Sequence, residues 1–141
     1  MTGTESLHVT FEMCSDPLNL PLVRATVGQL AALVGWDEAA TLAITMAADE
    51  ALANVIRHAY HGRTDGRIEL HCYASAGELR FEMRDRGDPP DLSRICSRQV
   101  GCDQIGGLGT HVIRDVMDTV SYKETAEGNL FTATKRLRRQ E

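Results

Sequence analysis

An α+β sandwich, a mixed and mostly antiparallel sheet packed against helices, is the fold class the sequence predicts. Three observations carry it. Apolar and polar residues alternate with period two in several short runs, and the later runs are joined by short turns as hairpins. Two longer stretches near the N-terminus have the three-to-four spacing of amphipathic helices. With 141 residues, 43% hydrophobic and 25% charged, the chain suits one core, so residues 1–141 are expected to form one domain.

The elements follow in order. Leu7-His8-Val9-Thr10-Phe11-Glu12-Met13 alternates and reads as a half-buried strand. Asn19 and Pro21 start a helix with apolar positions Val23, Val27, Leu30, Ala31 and Val34, and Gly35 ends it. Asp37 caps a second helix to about His61, through Leu42, Met46, Ala53 and Ile56, before a glycine-containing break. Ile68 to Tyr73 and Leu79 to Arg84 form an antiparallel hairpin across Ala76-Gly77. From Asp85 to Gly109 no period survives; five glycines and two prolines make this a long loop, of the kind that is functional or disordered. A helix from about Gly109 to Met117, a strand from Val120 to Lys123 and a last strand from Leu130 to Leu137, across a Glu127-Gly128-Asn129 turn, close the chain.

Composition excludes several functions. A formal charge of -5 gives no chain-wide attraction for nucleic acid or membrane, and the basic run Lys135, Arg136, Leu137, Arg138, Arg139 reads as a solvated tail. No apolar run approaches the roughly 20 residues that span a bilayer, and no signal peptide is evident, so a cytoplasmic location is expected. Cys14, Cys72, Cys96 and Cys102 form no C-x-x-C pair, which argues against structural zinc. Cys72 reads as a core residue, and Cys96 and Cys102 as loop thiols.

Three groups carry chemistry. Glu50, Asn54 and His58 are four apart and rise along one helix face, with Arg57 one turn from Asn54 on the same side, so the four can converge on one ligand. The same spacing also describes a helix with one solvated stripe. Asp85 shares strand parity with Leu79, Phe81 and Met83 and is aimed at the core, where an acid requires a partner. Gly87 then lets backbone approach a flat ligand; read alone, Asp85-Arg86-Gly87-Asp88-Pro89 is also an ordinary turn. Gly106-Gly107-Leu108-Gly109-Thr110 opens a helix, where free N–H groups and the helix dipole suit phosphate, although such turns also serve flexibility alone.

Taken jointly, these motifs resemble the ATPase-kinase superfamily that contains gyrase, the Hsp90 chaperones and histidine kinases. Glu50 to Tyr60 is similar to its asparagine motif, Asp85-Arg86-Gly87 to its adenine motif and Gly106 to Gly109 to its lid motif. Gly107 to Asp118 and Gly128 to Leu137 most resemble bacterial anti-sigma factor serine kinases. The resemblance implies a Bergerat-type ATP-binding fold with a lid loop, a histidine-kinase-like ATPase domain over the whole chain. It implies ATP and Mg²⁺ as ligands: Asn54 on the metal, Asp85 on the adenine amino group, the lid amides and Thr110 with the phosphates, Arg57 and His58 beside them, and Glu50 as general base toward a serine hydroxyl. Gly128-Asn129 stands where relatives often have Gly-Thr, so Asn129 would supply a hydrogen bond near adenine. Pro89-Pro90-Asp91 lacks the aromatic residue expected there.

The same resemblance implies partners. They are a sigma factor and an anti-anti-sigma protein that is phosphorylated on serine in a partner-switching circuit. The helix from Pro21 to Val34, with Arg24, resembles an element relatives use for partner binding or homodimerisation; its spacing equally suits a core helix. An ATP-gated binding module without phosphotransfer, and a stand-alone histidine-kinase-like catalytic domain, are the alternatives.

Overall fold

Each alternating run is a strand, and the strands pair into one five-stranded sheet. The computed structural model describes residues 1–90 and 110–138. Its strands are β1 (Ser6–Cys14), β2 (Arg67–Ser75), β3 (Glu78–Asp85), β4 (Thr119–Thr125) and β5 (Gly128–Arg136), in the spatial order β1-β2-β3-β5-β4. All four pairings are antiparallel; β2–β3 and β4–β5 are hairpins, while β1–β2 and β3–β5 join strands distant in the chain. The last strand begins two residues earlier than expected: Gly128 and Asn129 already belong to β5.

Among the described residues the α-helices are α1 (Leu20–Val34), α2 (Glu38–Asn54) and α3 (Thr110–Val116). Asp37 caps α2 by accepting from the Ala40 N–H at 2.8 Å, and Gly35 ends α1 at φ 125°, a value that disfavours any side chain. All five apolar positions expected on α1 are buried. On α2 the buried face is instead Ile44, Ala47, Ala48, Ala51 and Leu52, while Leu42 and Met46 are more than half exposed. Small alanines on the inner face let α2 lie close to the sheet, where Leu70, Phe81, Met83 and Phe131 complete the core.

Two further expectations change. α2 continues through a wide turn, Val55–Ala59, giving a 22-residue helical stretch (Glu38–Ala59) apolar enough by length and composition to cross a bilayer. Its alanine face packs on the sheet, while Leu42 and Met46 are exposed. The basic C-terminal run is not wholly a tail either. Lys135 and Arg136 end β5, Lys135 Nζ donates to the Val116 carbonyl at 2.7 Å, and Leu137 packs against the core.

Parity along the strands sets what faces the helices. Ile68, Leu70, Cys72 and Ala74 on β2, then Leu79, Phe81 and Met83 on β3, form the inner face, and Asp85 ends that series. The outer face carries His8, His71, Tyr73 and charged residues. Burial pushes the Cys72 thiol up to about 12, which makes it an inert packing group.

Candidate functional site

At the end of β3, Asp85 is only 6% exposed and registers across from Asn129 on β5. Its Oδ1 accepts from Asn129 Nδ2 at 2.8 Å and from the Gly87 N–H at 3.0 Å. No hydrogen bond to Oδ2 is seen among the described residues. Burial raises the Asp85 pKa, and the bonds from Asn129 and Gly87 pull against that rise. The core-facing acid expected from strand parity is therefore present, and both of its bonds among the described residues fall on one of its two oxygens.

The glycine after it is required by the protein's own backbone. A Cβ on Gly87 would lie 2.4 Å from the Ala59 carbonyl oxygen, so the close approach anticipated for a ligand is made first by the end of the α2 helical stretch. That carbonyl accepts from the Asp88 N–H at 2.9 Å. Tyr60 completes the support: its hydroxyl donates to the Arg67 carbonyl and accepts from the Arg86 N–H at 2.8 Å. Its ring packs so closely on Gly66 that a Cβ there would meet the ring at 2.4 Å. Tyr60 lies inside the asparagine-like motif, but nothing in the linear pattern pointed to its partners.

Glu50, Asn54 and Arg57 do come together. Arg57 Nη2 donates to Glu50 Oε1 at 2.9 Å and to Asn54 Oδ1 at 3.0 Å. The Arg57 and Glu50 side chains are 52% and 29% exposed, so this is a solvent-facing ion pair rather than a buried one. After Asn54 the helix is not regular: between Val55 and Ala59 it widens, with the Tyr60 N–H bonding back five residues to the Val55 carbonyl at 3.1 Å. Such wide turns often sit at functional sites. Here it carries Arg57 and the exposed His58, and it delivers the Ala59 carbonyl to the Gly87 turn. Thr110 opens α3, while Gly106, Gly107, Leu108 and Gly109, like Cys96 and Cys102, lie outside the described residues.

The candidate residues thus form two groups, a buried carboxylate at the end of β3 and an acid, an amide oxygen and a guanidinium on the α2 helical stretch, linked through the bond from the Asp88 N–H to the Ala59 carbonyl. The histidine kinase-like ATPase domain family matches residues 13–135. This chain belongs to that family. Its relatives include a serine-protein kinase RsbW of Listeria innocua, 29% identical over 120 residues, covering 79% of this chain and 76% of the relative. They also include a serine/threonine-protein kinase BtrW of Bordetella bronchiseptica, 30% identical over 137 residues, covering 94% and 92% respectively. A crystal structure of the RsbU and RsbW domains of a Mycobacterium tuberculosis protein superposes with a TM-score of 0.65 at 23% identity. It matches 97% of this chain, which spans about a third (34%) of that longer one, and the likeness shows the fold.

Membership of the ATPase-domain family implies ATP as a ligand, and the polar groups of the site fit that chemistry. Oδ2 of Asp85 suits the adenine amino group, and the Asn54 amide oxygen is the hard oxygen donor that Mg²⁺ prefers.

Proposed function

We propose that this protein is a Mg²⁺-ATP-dependent protein serine kinase that acts as an anti-sigma factor and phosphorylates a small antagonist protein in a partner-switching circuit. The observation that supports it most is the Asp85 floor. A buried carboxylate whose Oδ1 is taken by Asn129 and Gly87 would, through Oδ2, suit an exocyclic amine and disfavour a carbonyl at the same place. The kinase names of the RsbW and BtrW relatives point the same way.

In this reading Glu50 accepts the proton of the attacking serine hydroxyl. Arg57 leaves Glu50 and Asn54 to meet the phosphates, and the lid glycines Gly106, Gly107 and Gly109 offer backbone N–H groups to them. Asn54 would hold Mg²⁺, whose contribution is to neutralise charge on the phosphate oxygens. The test is incubation with candidate antagonist proteins and Mg²⁺-ATP. Wild type is expected to form phosphoserine, and Glu50→Gln to lose transfer by about a hundredfold or more while binding ATP as before. Phosphotransfer that survives Glu50→Gln removes Glu50 from the role of base.

One observation favours the second reading, an ATP-gated binding module. The Glu50 carboxylate is tied to Arg57 instead of standing free as a base. That reading predicts ATP binding by wild type with no phosphorylation of any antagonist.

A further inference from the structure

The position where this chain departs from the family resemblance carries a buried side chain that is bonded twice beside Asp85. Asn129 is 7% exposed, and its Nδ2 donates twice, to Asp85 Oδ1 at 2.8 Å and to the Gly87 carbonyl at 3.0 Å. Both neighbours are acceptors, so the amide nitrogen and not the oxygen must face them, and both of its hydrogens are used. Gly128 makes this possible: at φ 112° a Cβ there would stand 2.2 Å from the Asp85 carbonyl, so only glycine lets β5 close on the end of β3.

We infer that Asn129 is a positioning residue that sets nucleotide selectivity without donating to the nucleotide: it locks Asp85 Oδ1 and the Gly87 carbonyl so that Oδ2 alone, in one orientation, meets the purine 6-position. The inference rests on the nucleotide reading above and refines it. A hydroxyl in place of Asn129 has one hydrogen and can serve only one of the two acceptors; the amide serves both, tying the carboxylate to the turn that follows it. Without that tie only the Gly87 N–H holds Oδ1, and the carboxylate rotates more readily. It also loses a donor that favours its charged form, while burial continues to favour the protonated acid. A rotated or protonated Asp85 tolerates a 6-oxopurine, because it can then donate to the oxygen or accept from the ring N–H.

The test compares Mg²⁺-ATP and Mg²⁺-ITP binding by calorimetry for wild type, Asn129→Leu and Asn129→Thr. Wild type is expected to prefer ATP by at least about tenfold, and Asn129→Leu to lose about tenfold of that ratio with ITP binding unchanged or improved. Asn129→Thr, keeping one donor, should fall between them, and it decides the matter alone if the leucine variant does not fold. The preference of the leucine variant is further expected to vary with pH more than that of wild type. A variant that loses ATP and ITP equally has only a structural defect at this position, and that outcome overturns the inference, as does an unchanged ratio. Wild type binding neither nucleotide is a different failure, since it removes the nucleotide reading itself.

Discussion

The two ends of the site are built differently. At the Asp85 end, backbone and buried side chains hold one another: the Gly87 turn is pressed against Ala59, Tyr60 bridges Arg67 and Arg86, and Asn129 ties the carboxylate to the turn. At the Glu50 end, three long or flexible side chains meet on a helix surface through one guanidinium, with half of it exposed. The first end has nowhere to go; the second can exchange partners at small cost. On the proposed reading, the rigid end would select a ligand and the loose set of charged groups would rearrange around its phosphates.

The largest effect is expected from Asp85→Asn. The new amide can keep the bonds from Asn129 and Gly87, but it presents a donor where Oδ2 accepted, and ATP affinity measured by calorimetry should fall about a hundredfold. Stability should move the other way. Because the folded-state pKa of Asp85 is raised, the ionised form is disfavoured by folding, so wild type loses stability as pH rises from the usual carboxylate range through the raised pKa. The asparagine variant should therefore melt higher than wild type at neutral pH, with the gain vanishing in acid. A variant that melts lower at every pH would show that the carboxylate's bonds outweigh its burial.

Next is Gly87→Ala. The added methyl meets the Ala59 carbonyl at 2.4 Å, and relief requires the turn to leave the helix end and break the bond from the Asp88 N–H. A loss of about 1–3 kcal/mol in urea unfolding is expected. An alanine variant as stable as wild type would mean that the Asp85 end yields as easily as the helix side, and that the two ends do not differ in rigidity. The smallest effect belongs to Arg57→Met. An ion pair this exposed is worth about 0–1 kcal/mol, so the same unfolding experiment should barely register it.

Much of the scaffold was legible in the linear pattern because strands and helices are local periodicities. The five buried positions of α1, the hairpin across Gly77 and the inward parity of Asp85 all follow from spacing. Leu42 and Met46 misled, because hydrophobicity alone does not say which apolar face a helix buries, and the alanine face was the one that fitted closely against the sheet. The wide turn after Asn54 was also missed. No residue type announces such a turn, and its reason lies in the groups that the Ala59 carbonyl and Tyr60 must reach.

By itself, then, the order of residues determined the element types, the strand parity that aims Asp85 inward and the helix face that gathers Glu50, Asn54 and Arg57. Those are properties of neighbours within a few positions. Only the tertiary structure decided that Asn129, 44 residues away, completes Asp85, that Gly87 answers to Ala59, and that Tyr60 holds the turn. These contacts depend on which strand lies beside which and how closely a helix end approaches a turn, and such distances are set when the core packs.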